Sequence, residues 1–126
     1  MKSEKFSVSK RVRSFKYAFN GLKIMLKEEH NSRIHLVAAI FALALGGFLK
    51  LSPTEWVLLC MVIGAVFMAE LFNSALENLA DIISPDKNEK IGKAKDLAAA
   101  AVLVSALVSI AMACFIFLPK ILMLLK

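Results

Sequence analysis

Apolar residues recur at Val12, Phe15, Phe19, Leu22 and Leu26. Steps of three and four residues put them on one face of a helix. Lys16, Lys23 and Lys27 decorate the remainder. The pattern predicts a basic amphipathic helix over about residues 10–30, of a kind that lies on an anionic membrane surface. Residues 1–9 are polar and are expected to fray. Beyond Arg33 the pattern turns almost wholly apolar, in three runs at residues 34–51, 56–83 and 97–118. Each approaches or exceeds the roughly 20 residues that cross a hydrocarbon core.

Arg33 and Lys50 bracket the first run, and His35 near its start is expected at interface depth. In "LSPTEW", Pro53 breaks the chain's helical course and Trp56 suits the membrane–water boundary. "SPDKNEKIGK" reads as a polar loop, and Pro119 with Lys120 is expected to close the third run. The prediction is an all-α integral membrane protein, one domain over residues 1–126, with three transmembrane helices plus an N-terminal amphipathic surface helix.

Composition supports this. The chain is 59% hydrophobic with mean hydropathy +0.69, outside the range of an ordinary soluble domain. Of the 16 Lys and Arg residues, nine precede Ile34, and Lys87, Lys90, Lys93 and Lys95 share one short loop. Basic residues favour the cytoplasmic side, so the N-terminal region and the 84–96 loop are expected there, at the plasma membrane, with the 50–55 turn and the C-terminus outside. The same rule accounts for the net charge of +6 without nucleic acid as a partner. No cleavable signal peptide is expected, because a long charged lead precedes the first apolar run. Cys60 and Cys114 lie in apolar runs and read as small core residues rather than a disulfide or metal site.

The second run ends in an unusual way. After the uncharged residues 56–69 comes "ELFNSALENLAD", with Glu70, Asn73, Glu77 and Asp81. At 100° per residue these four fall within about 80° of one another on a helix. An ionisable residue at the centre of a bilayer costs about 2.5–3.5 kcal/mol on insertion scales, so such groups usually face a bundle interior. Counting 1.5 Å per residue from Trp56 puts Glu70 about 21 Å along the helix, just inside the cytoplasmic edge of the hydrocarbon. Glu77 lies about 10 Å further, at headgroup level. One stripe thus runs from lipid depth to cytosol, where a water-soluble reactant can meet a lipid headgroup.

Glu28 and Glu29, in "KEEHNSRIH", reach the same interface from the end of the surface helix. Carboxylates from two helices at one depth could hold Mg²⁺, which takes one or two carboxylates and fills its shell with phosphate oxygens and water. His30 and His35 read as interfacial hydrogen-bonding groups, and there is no His/Cys zinc pattern. Neither a Walker A sequence nor a protein-kinase glycine loop is present. Three readings remain open on the residues alone: a lipid-modifying site, a small ion or proton transporter using the intramembrane acids, and a structural adaptor with a trimmed cytosolic helix end.

"AELFNSALENLAD" followed by "KAKDLAAAAVL" resembles the small prokaryotic diacylglycerol kinase family and its pattern E-x-x-N-[ST]-A-[IL]-E-x-x-x-D. The resemblance runs from about Lys10 through the third span, and "NSRIHL" and "TEW" look like the Gram-positive, undecaprenol kinase branch. It implies a homotrimer that transfers the γ-phosphate of MgATP to a lipid hydroxyl, of undecaprenol or alternatively of diacylglycerol. By motif position it implies Glu70 as general base and Glu29 and Glu77 on Mg²⁺. Asn73 and Glu77 would serve the phosphates, and Tyr17, Lys95 and Asp96 the nucleotide. Lys10 and Lys93 stand where the family often has Arg, and a one-residue slip would exchange Glu28 for Glu29. Arg33 and Asp81 complete the polar candidates at this interface.

Overall fold

The computed structural model describes residues 4–126. Among these the chain is helical: α1 Val8–Glu28, α2 His30–Phe48, α3 Pro53–Ile83 and α4 Glu89–Leu124. The last three are long and apolar enough to cross a membrane. The expected frayed start covered residues 1–9. Residues 1–3 lie outside the described residues, residues 4–7 are non-helical, and Val8 and Ser9 already belong to α1, which Ser7 caps by accepting from the Lys10 N–H.

α2 and α4 run in one direction and α3 returns between them, so two ends of the bundle can be distinguished. At the end away from the acidic stripe, Leu51, Leu59, Ile116 and Phe117 form the apolar core. The α2–α3 turn is tightly specified. Lys50 takes a left-handed φ of 54°, which ends α2. Ser52 and Glu55 form a reciprocal capping box, with Pro53 as the first helical residue of α3. Proline suits that place because its missing N–H would have no intrahelical partner. Trp56 is half-buried and packs over Gly46, where a Cβ would stand 2.9 Å from the indole Cη2.

Two expectations about α4 need correction. Pro119 does not end the helix, which continues to Leu124. The helix keeps its course because the last turns are anchored: Ile121 packs on the apolar core, and Lys120 Nζ lies 3.1 Å from Glu55 Oε1 at the start of α3. The polar loop is also shorter than expected. Asn88 accepts from the Lys90 and Ile91 N–H groups, and this cap starts α4 at Glu89.

α3 and α4 form the principal packed pair, tied by the Ser109 hydroxyl donating to the Val62 carbonyl (3.2 Å). α1 packs only lightly, and its predicted apolar residues Val12, Phe15 and Phe19 remain exposed. Such a face needs lipid or protein over it.

Candidate active site

The α1–α2 junction is a one-residue break. Glu29 leaves helical geometry (φ −102°, ψ 113°) and serves at once as the C-cap of α1 and the N-cap of α2. Arg33 secures the break: its Nε donates to the Leu26 carbonyl (2.8 Å) and its Nη2 to that of Lys27 (2.6 Å). These are orphan carbonyls at the end of α1, which a cation satisfies well. Met25, 1% exposed, is the buried residue of this helix end. The extended residue carries the Glu29 carboxyl to hydrogen-bonding range of Glu77 on α3. Glu28 stays helical and exposed.

Two carboxylates at such a separation repel unless a proton or cation stands between them. Among the described residues no group of three His, Cys, Asp or Glu side chains is placed to hold a metal. A pair of hard oxygen donors, however, is what Mg²⁺ takes from protein when phosphate and water complete its shell. The donor set therefore fits this ion.

Nearer the middle of α3 on the same stripe lies Glu70, 1% exposed. Its Oε1 is 3.2 Å from Nε2 of His35 on α2, an ion-pair distance whose alignment falls short of a directed hydrogen bond. Ser32 is the other α2 neighbour of this carboxyl. Ser32 Oγ, Glu70 Oε1, Asn73 Oδ1 and Ser74 Oγ are all buried without a hydrogen-bond partner. An unsatisfied buried polar group costs about 1–3 kcal/mol. An unpartnered oxygen of this carboxyl together with three more such atoms on Ser32, Asn73 and Ser74 marks a place that a polar ligand group or water would complete.

At the C-terminal end of the stripe Asp81 binds Lys95, with Oδ1 and Nζ 2.7 Å apart, closing the α3–α4 hairpin. Lys95 also stands near Glu77, giving the acidic cluster its nearest cation. Lys93 and Asp96 are exposed on the same first turns of α4.

The single chain thus brings together Glu29, Glu70, Asn73, Glu77, Asp81 and Lys95. It does not gather the α1 candidates with them. Tyr17 is exposed and lines a shallow cleft with Lys16, Phe19, Asn20 and Lys23. Lys10 pairs with Glu4 at 3.2 Å. Along the axis of α1, Lys10 is about 27 Å from Glu28 at 1.5 Å per residue. Sequence reasoning passed over Ser32 and Ser74 and left His35 at the interface. The available signal was positional: Ser32 and His35, three apart, share a face of α2, and Ser74 is one turn from Glu70.

Comparison with known proteins identifies the family. The profile of the prokaryotic diacylglycerol kinase family matches residues 16–117. An undecaprenol kinase of Bacillus subtilis is 39% identical over 109 residues, which cover 86% of this chain and 88% of the relative. A diacylglycerol kinase of Escherichia coli K12 is 31% identical over 100 residues, covering 79% and 82%. One from Haemophilus influenzae is 33% identical over 94 residues, covering 75% and 80%. With its three apolar helices and the acidic stripe inside the matched region, the chain belongs to the prokaryotic diacylglycerol kinase family.

Proposed function

We propose that this protein is an integral membrane lipid kinase that transfers the γ-phosphate of ATP to the hydroxyl of undecaprenol. The observation that carries the reading is the buried Glu70 carboxyl, ringed by unpartnered polar atoms, with the Glu29–Glu77 pair further along the same stripe. A carboxylate at lipid depth is where a membrane alcohol presents its hydroxyl. A pair of carboxylates at headgroup depth is where a cytosolic nucleotide arrives.

In the proposed reaction the lipid hydroxyl oxygen attacks the γ-phosphorus, the bond to the β–γ bridging oxygen breaks, and ADP leaves. Glu70 takes the hydroxyl proton. Phosphoryl transfer asks mainly for positioning and charge neutralisation, so these residues suffice without a covalent intermediate. Glu29 and Glu77 would hold Mg²⁺, which when bound would supply positive charge to the phosphates. Asn73 donates its amide N–H groups to phosphate. Lys95 supplies a cation to the nucleotide, and Lys93, Asp96, Tyr17 and Lys10 are assigned to its outer contacts. Arg33 acts at one remove, by fixing the break that aims Glu29.

The family resemblance supports a homotrimer in the plasma membrane. The distribution of Lys and Arg supports a cytoplasmic face for the N-terminal region and the 84–96 segment. Undecaprenol is preferred in this reading because "NSRIHL" and "TEW" resemble the undecaprenol kinase branch, and because a relative of that name shares 39% identity. The diacylglycerol kinases among the relatives favour a second reading, diacylglycerol as substrate.

Transfer of labelled γ-phosphate to each lipid in matched micelles decides between them. A larger kcat/KM for undecaprenol is expected, with slower turnover of diacylglycerol, since both present an accessible hydroxyl. Equal values or a diacylglycerol preference would overturn the specificity. Labelling of neither lipid would overturn the kinase assignment.

A further inference from the structure

Between α2, α3 and α4 runs an apolar cleft of about 330 Å³. Small side chains on two helices keep it open: Ala38, Ala39 and Ala42 on α2, and Ala106 and Ala113 on α4. Its wall is almost wholly apolar, with Ser109 and His35 as the polar exceptions. Ser109 is already engaged with the Val62 and Ser105 carbonyls. His35 is different. It belongs to the cleft wall and also stands 3.2 Å from the buried Glu70 carboxyl.

We propose that His35 is a positioning residue, which turns the Glu70 carboxylate toward the lipid hydroxyl at the wall of the apolar cleft. The inference rests on the lipid kinase reading with Glu70 as proton acceptor. A lipid alcohol is a hydrocarbon chain with one polar end. A cleft that is almost wholly apolar and has in its wall an imidazole backed by a buried carboxylate matches that amphipathic outline. A carboxylate rotates freely about its last bond unless one oxygen is held. The neutral imidazole with its proton on Nε2 can donate to Oε1, leaving Oε2 as the base. The contact has the distance but not the alignment of a hydrogen bond, as is common for catalytic contacts before substrate binds.

The test compares substitutions that separate the Nε2 donor from the bulk of the ring. His35→Gln carries an amide N–H near the place of Nε2, His35→Asn carries one near Nδ1, and His35→Leu carries none. In the proposed role His35→Gln keeps kcat within about threefold, while His35→Asn and His35→Leu lose about 10²-fold, the scale of an ångström of misplacement. The KM for ATP should be unchanged in all three, because the nucleotide contacts lie elsewhere. If His35→Leu does not yield folded oligomer, the Gln–Asn comparison alone decides. A His35→Gln enzyme as slow as His35→Asn, or a series that is flat throughout, overturns the proposal. Glu70→Gln, run beside the series, separates the two levels of the argument. Its inactivity together with a flat His35 series defeats only the inference. Its activity at the parental rate defeats the assignment of Glu70, and the inference with it.

Discussion

A Cβ placed on Gly46 would stand 2.9 Å from Cη2 of Trp56 and equally close to Cδ1 of Leu51. The indole therefore occupies the space that any other residue at position 46 would need, and α2 approaches the start of α3 across a bare backbone. Overpacking of this kind costs about 1–3 kcal/mol. Gly46→Val is expected to lower the temperature of half-inactivation in detergent clearly, and Gly46→Ala less so. The next glycine is the internal control. A Cβ on Gly47 meets nothing within 4 Å, so Gly47→Ala should leave stability unchanged or raise it, as helix propensity favours Ala by up to about 1 kcal/mol. A Gly46→Val protein as robust as the parent would remove this constraint.

The neighbouring Glu29 and Glu77 carboxyls lead to a metal prediction. Glu77→Gln and Glu29→Gln should each lose at least about 10²-fold in turnover at ordinary Mg²⁺, while the purified protein stays folded; loss of a group that merely orients a metal ligand commonly costs about 10–100-fold, and loss of the ligand itself should cost no less. Glu28→Gln should remain within about twofold, because its side chain is exposed one residue before the break and surface substitutions are usually near neutral. Titration of Mg²⁺ for each variant provides the measurement. A severe Glu28→Gln and a mild Glu29→Gln would reverse the assignment.

Lys95 is engaged by Asp81, and a nucleotide phosphate would compete for the same ammonium. Lys95→Ala should raise the KM for ATP by about tenfold or more, in line with about 1.5–3 kcal/mol for a charge-assisted hydrogen bond. Asp81→Asn should leave that KM unchanged or lower it. Its effect on stability should be small, since exposed ion pairs contribute about 0–1 kcal/mol. A KM for ATP that rises in Asp81→Asn would show that Asp81 itself serves the nucleotide.

Orientation can be checked at the turn between α3 and α4. Lys87 is exposed in that turn. In a background with Cys60 and Cys114 replaced by Ala, Lys87→Cys should react with a membrane-impermeant maleimide only when the cytoplasmic face is open to the reagent. Reaction in intact cells would place the turn outside and with it the proposed ATP side.

Much of this molecule was legible in one dimension. Helices are local objects, and their faces repeat every 3.6 residues, so the surface helix, the three spans and the stripe of Glu70, Asn73, Glu77 and Asp81 could be read from spacing alone. The bilayer added a length scale, which ranked Glu70 and Glu77 by depth. What the spacing of residues left open was which helix each stripe would face, because that depends on packing between distant segments. Glu28 and Glu29 are chemically identical neighbours; only the extended backbone at Glu29, held by Arg33, turns one inward and leaves the other exposed. Pro119 reads as a stop by local rules, yet α4 passes through it because Ile121 and Lys120 find partners on other helices. His35 reads as one polar residue among many at an interface. Its place beside Glu70 exists only because α2 lies against α3 at that level, and that is a property of the folded bundle rather than of either helix.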